Sequence, residues 1–235
     1  MTLFTIRVTI FTILPLILAG LILLLDMTAN SRERRYEVFL IFLFALGVAG
    51  SGIGGFFGHL FLSDQVAEAV GWPTGSPFQL EMGFANLVLG VLGMIAVGRR
   101  DGFREATVIA VSILGFGATI VHIIDILETG NLAPGNTIQN FANLVRPILL
   151  IGFLVAARKA ESKADSEVST VEFDQWRQPF GMAAGVITAT VATGFGLGFA
   201  IGQEVILTLI GIALSVIILL LVIQRSPMHY FRWER

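Results

Sequence analysis

The chain contains no cysteine, and its only lysines are Lys159 and Lys163 among 235 residues. The first absence excludes a disulfide framework, a thiolate metal site and thiol redox chemistry. The second excludes retinal, whose Schiff base needs a lysine within the membrane; both lysines fall in one polar segment. Charge is scarce too. Asp, Glu, Lys and Arg make up 14% of the chain, hydrophobic residues make up 55%, and mean hydropathy is +0.83. Soluble domains carry about 25% charged residues, so this composition predicts an all-α polytopic membrane protein. The formal net charge of −2 gives no basic surface for nucleic acid, and membrane lipids are the expected surroundings.

Long charge-free runs are what the chain has instead: 8–25, 38–58, 82–98, 106–121, 147–157, 178–203 and 205–224. About 20 apolar residues in a helix cross the ~30 Å hydrocarbon core. The runs predict seven transmembrane helices, at 5–25, 36–62, 77–98, 104–128, 137–157, 180–201 and 204–224. The fourth and fifth reach spanning length only by including His122, Asp125 and Arg146. No small-residue cleavage site follows Leu25, so the first span reads as a retained anchor and not a signal peptide. Basic residues collect on the cytoplasmic side of short loops. Thirteen of the fifteen lie after the first, third, fifth and seventh spans, the exceptions being Arg7 and Arg146. The N-terminus is therefore expected outside and the C-terminus inside, in a multi-pass protein of the cell membrane. Asp64, Glu68, Glu81, Asp125, Glu128 and Glu204 fall at or near the outer face, where carboxylates attract cations.

Residues 48–61 read VAGSGIGGFFGHLF, in which Gly50, Gly52 and Gly55 spell GxGxxG. A dinucleotide site needs a strand before that pattern and a helix opening after it; here it lies inside an apolar run, so no NAD is expected. Gly50, Gly54 and Gly58 are four apart on one helical face, the spacing that lets membrane helices approach closely. With Gly181, Gly185, Gly194, Gly198 and Gly202 of the sixth span, this face is a candidate contact for a homo-oligomer or a larger membrane complex.

Two outer loops end alike. GSPFQ at 75–79 matches GNTIQ at 135–139, and FANLV occurs at 84–88 and again at 141–145. Each loop follows a span with one histidine near its outer end, His59 and then His122. Spans two to five thus read as a repeated hairpin, a four-helix bundle whose copies are related by an axis along the membrane normal. Ser76 with Gln79, and Asn136 with Gln139, have capping-box spacing, which predicts helix starts at Ser76 and Asn136. Trp72, in the first of these loops, is expected at the membrane interface.

GHLFLSDQVAEAVGWPTGSPFQLEMGFANL at 58–87, followed by HIIDILETGNLAPGN at 122–136, resembles a prokaryotic family of small integral membrane proteins of unknown function. The resemblance covers about 51–157, leaving the first, sixth and seventh spans outside it. It implies a grouping and no mechanism.

Four units are expected: an N-terminal anchor and cytoplasmic loop (1–35), the repeat core with a polar pocket (36–157), a cytoplasmic linker (158–179), and a C-terminal hairpin and tail (180–235). His59, Glu81, Asn86, His122, Asp125, Asn143 and Arg146 all come from the repeat and from the outer half of the membrane. Ionisable groups at such depth are costly unless they pair or face water. They are candidate ligand-binding residues. Two imidazoles with Glu81 and Asp125 would also suit a divalent metal such as Zn, Fe or Mn. The expected function is non-enzymatic: an outward-facing polar pocket binding, and passing, a proton, cation or small ligand, with Arg146 balancing charge. The alternatives are a membrane-embedded metal enzyme acting on a lipid or quinone, and an accessory subunit of a membrane complex.

Overall fold

The computed structural model describes residues 3–25 and 31–164, with side chains from residue 7 to residue 161. The expected spans 180–201 and 204–224, the linker after residue 164 and the tail lie outside the described residues. Within them every regular element is helical: α1 (Leu3–Leu25), α2 (Arg32–Phe42), a π-helical segment (Leu43–Gly50), α3 (Ser51–Phe61), α4 (Ser63–Val70), α5 (Phe78–Val97), α6 (Gly102–Thr129) and α7 (Pro134–Ala164). Five stretches are long and apolar enough to cross a membrane: Arg7–Leu25, Arg32–Phe61, Phe78–Val97, Gly102–Thr129 and Pro134–Glu161. They match the first five expected spans, and the chain is a membrane protein by that criterion.

The helix ends follow local chemistry. Ser31 caps α2 by accepting from Arg34 N, and Asp101 caps α6 by accepting from Phe103 N. The Arg99 guanidinium bonds Asp101 and holds its carboxyl below the usual carboxylate range. Gly71 and Gly130 close α4 and α6 in the left-handed conformation, at φ 80° and 72°. The two capping boxes do not form. α5 starts at Phe78, and the Gln79 side chain turns to His59 instead of back to Ser76. α7 starts at Pro134, two residues before Asn136, whose side chain likewise serves a tertiary contact. In both places a histidine takes the amide that the local cap would have used. At its other end α7 runs past the apolar stretch to Ala164, through the helix-favouring ARKAESKA.

α2, the π segment and α3 form one continuous rod, and it is the centre of the fold. Of its apolar window 83% is buried, against 28–33% in the other four stretches. All eight residues of the π segment are buried. α1 and α7 pack on one part of the rod, α5 on another, and α6 lies on α7. Phe11, Leu40, Phe42, Phe44, Leu46 and Leu150 fill the core. Outward faces remain apolar: on α6, Ile109, Ile113, Ile120 and Leu127 are exposed, as a lipid-facing surface requires.

The glycines of the rod set its packing distances within this chain. A Cβ on Gly52 would lie 2.6 Å from both Asn86 O and Gly90 N of α5. The face carrying Gly50, Gly54 and Gly58 meets α1: a Cβ on Gly50 would sit 2.7 Å from Phe11 Cε1, and one on Gly58 3.1 Å from Arg7 Nη1. That face is therefore covered by the chain's own first helix; the glycines of the expected sixth span lie outside the described residues.

Candidate functional site

The up-and-down course gathers the end of α3, the loop with α4, the start of α5, the end of α6 and the start of α7 at one end of the bundle, the histidine end. The arginine end holds the start of α2, the α5–α6 turn and the last turns of α7.

At the histidine end, two turns build a polar cluster. After α4, Gly71 N donates to Glu68 O and Trp72 N to Ala67 O, the paired bonds of a Schellman motif. This turn places Trp72 flat against His122, with ring centroids 5.3 Å apart, and its indole Nε1 donates to Asp125 Oδ2 at 2.9 Å. After α6, Asn131 Nδ2 donates to Asp125 Oδ2 at 2.8 Å and to Val70 O at 2.9 Å, tying the two loops together. Asn136, fully buried, is the hub. Its Nδ2 donates to Asp125 Oδ2 and to Asn131 O, and its Oδ1 faces His122 Nδ1 at 2.5 Å.

That geometry fixes a tautomer. Both partners of Asn136 Nδ2 are acceptors only, so the amide cannot be turned round. Its oxygen therefore faces His122, and His122 Nδ1 must carry the hydrogen. Nε2 is left with its lone pair. Gaining a proton there leaves every described bond in place. His59 repeats the theme: its Nδ1 lies 2.7 Å from Gln79 Oε1. Each histidine near the end of one helix thus pairs with an amide oxygen at the start of the next.

Gly71 is the weak point of this assembly. Its φ is positive, and a Cβ would stand 2.5 Å from Asn131 Oδ1. Gly71→Ala is expected to cost about 1–2 kcal/mol for the left-handed conformation alone. Displacing Asn131 also separates the two loops. Thermal unfolding in detergent measures the first effect, and Trp72 fluorescence the second.

The seven expected site residues are not all brought together. Only His122 and Asp125 share a cluster, through Asn136 and Trp72. His59 is held separately by Gln79. Glu81 is exposed, and its side chain makes no hydrogen bond or ion pair among the described residues. Asn86 Nδ2 donates to Met82 O within its own helix, with Oδ1 against Gly55. Asn143 accepts from Gln139 Nε2 one turn away. Arg146 lies deeper, against the π segment, with no carboxylate partner among the described residues. Among those residues no three His, Asp or Glu side chains group as metal ligands. The four-ligand arrangement of His59, Glu81, His122 and Asp125 is accordingly not assembled.

Trp72, Gln79, Asn131 and Asn136 were not expected as site residues. The repeat held the signal for two of them, since GSPFQ and GNTIQ each supply one amide to the preceding histidine.

The arginine end holds a second buried cluster. Arg104 and Glu37, 2% and 4% exposed at their side chains, form a two-pronged ion pair with both contacts at 2.8 Å. Arg104 also donates to Ala96 O and Val97 O, the last carbonyls of α5. Arg100 bonds Glu33 at 2.6 Å, and Arg158 joins Glu105, Glu161 and Arg100 O. Glu37, Arg100, Arg104, Arg158 and Glu161 line a cavity of about 10 Å³, room for roughly one water.

No curated protein and no solved structure matches the chain. A family model does match, over residues 6–163, and so takes in α1 as well as the helices through α7; the resemblance read from the motifs at about 51–157 was too short. The chain belongs to that family, described as a family of unknown function, DUF6790.

Proposed function

We propose that the chain is a multi-pass protein of the cell membrane, with seven spans once 180–201 and 204–224 are counted and with its arginine end in the cytoplasm. Its outer, histidine end binds a proton or small cation and passes it inward. The distribution of basic residues supports the orientation. The binding reading rests on one observation: the Asp125–Asn136–His122 chain of hydrogen bonds, which presents His122 Nε2 as a base. His122 can therefore exchange a proton without rearranging its partners, which suits binding and release better than covalent catalysis.

The test is proton uptake by lipid vesicles containing the protein and a trapped pH dye, after an acid pulse. Wild-type vesicles are expected to acidify faster than empty ones. His122→Gln should return to the empty-vesicle rate. Asn136→Leu, which frees the imidazole to take either tautomer, should slow uptake about tenfold, as loss of a supporting hydrogen bond commonly does. Uptake by His122→Gln at the wild-type rate, or by wild type at the empty rate, would overturn the proposal.

A further inference from the structure

The outward face of α7 carries Phe141, Leu144, Ile148, Ile151 and Val155, and then Lys159, all of them exposed. Spacings of three and four residues keep them on one side of the helix. From Phe141 to Lys159 this face is roughly 27 Å long at ~1.5 Å per residue, close to the ~30 Å hydrocarbon core. Lys159 therefore stands at the level where hydrocarbon gives way to headgroups. Gly152 lies on the same face with nothing within 4 Å of its Cβ position, so the backbone there is open to an acyl chain.

Lys159 ends this face at the arginine end of the bundle. The described residues of that end, 32–37, 99–105 and 157–161, hold eight Arg and Lys against five Asp and Glu, an excess of three positive charges. Every one of the five carboxylates is ion-paired to an arginine: Glu33 to Arg100, Glu37 to Arg104, Asp101 to Arg99, and Glu105 and Glu161 to Arg158. The Lys159 side chain makes no hydrogen bond or ion pair among the described residues.

We propose that this face of α7 holds an anionic phospholipid, with an acyl chain along Ile148, Ile151 and Val155 and the phosphate on Lys159. The charge excess selects an anionic headgroup over a zwitterionic one, because the carboxylates that would receive a choline or ethanolamine cation are already committed to arginines. The apolar face selects a lipid over a soluble phosphate. A single exposed lysine is a strongly hydrated point charge, and contact with the tail supplies what that charge alone does not. The site holds for either side of the membrane, so it stands apart from the proton-binding reading of His122.

The experiment measures lipid retained by the full chain in detergent, by native mass spectrometry, with phosphatidylglycerol and phosphatidylcholine of identical acyl chains as probes. Wild type is expected to hold phosphatidylglycerol about fivefold more tightly, the contribution of one basic residue near a membrane surface. Lys159→Gln should remove that preference and Lys159→Arg should keep it. Arg99→Gln, at the same end but off the α7 face, should keep it too. Val155→Asn should weaken both lipids together and leave the preference intact. Glycerophosphoglycerol, the soluble headgroup, should displace neither lipid. The proposal is overturned if wild type shows no preference, if Lys159→Gln retains it, or if Arg99→Gln loses as much as Lys159→Gln does. Displacement by glycerophosphoglycerol overturns it in favour of a soluble phosphate. It also fails if the preference appears only in the combined variant Asp165→Asn, Glu167→Gln, Glu172→Gln and Asp174→Asn, because the chain's own acidic segment would then occupy Lys159.

Discussion

Glu37→Ala is expected to destabilise the fold by about 3–5 kcal/mol, the usual cost of stripping one partner from a buried ion pair. The reason is the charge left behind. Arg104 would stay sealed at 2% exposure between α2 and the α5–α6 turn, its guanidinium over the Phe44 ring, with only two backbone carbonyls as partners. Arg100, whose Nε lies 3.5 Å from the same Glu37 carboxylate, would lose part of its field too. Glu37→Gln keeps the shape and one acceptor and should cost less. Replacing both members, Glu37→Met with Arg104→Met, should recover part of the loss by removing the buried charges altogether. Recovery stays incomplete because Ala96 O and Val97 O lose their donor. The exposed Arg99–Asp101 pair is the control: Arg99→Ala should leave stability nearly unchanged. Denaturing-detergent titrations followed by helical circular dichroism measure all four variants. Equal, small effects of Glu37→Ala and Arg99→Ala would mean that the arginine end is wet and the ion pair ornamental to the fold.

That pair also shows what the sequence could and could not disclose. Spans were legible because apolar runs of spanning length have few other uses, and all five within the described residues appear close to their expected limits. The rank of the second span was not: its hydropathy of 2.1 resembles that of its neighbours, and only packing makes it the core. Glu37 and Arg104 are 67 positions apart. Each stands at the edge of an apolar run, with nothing local to say that they meet. At the histidine end, His122 and Asp125 were legible as a pair because three residues on a helix share a face. Asn136 and Gln79 misled, since their spacing satisfied a local capping rule while their side chains were committed elsewhere. Glu81 misled in the opposite sense. It sat at the right depth, but its helical face points outward, and depth along a helix carries no information about rotation around it.

Gly52→Ala is the second large effect expected, about 3 kcal/mol of destabilisation, at the upper end of overpacking costs. Alanine at a helical glycine normally gains up to ~1 kcal/mol from lower backbone entropy in the unfolded chain. Gly117 supplies that baseline, since it lies in α6 with nothing within 4 Å of its Cβ position, and Gly117→Ala should stabilise. At Gly52 the new methyl group meets Asn86 O and Gly90 N at 2.6 Å, both backbone atoms, which cannot swing aside as a side chain would. α3 and α5 must move apart. The separation spreads, because the backbones stay close along the interface: a Cβ on Gly90 would lie 2.9 Å from Ile53 N, and one on Gly93 2.8 Å from Ala49 N of the rod. It also reaches the histidine end, where His59 on α3 bonds Gln79 on α5 across the same interface. The two glycine substitutions should therefore differ in sign as well as size, and only Gly52→Ala should disturb the His59 resonance. A Gly52→Ala protein as stable as Gly117→Ala would show that these backbones are not in contact. The GxGxxG stretch would then need another explanation than close packing inside the chain.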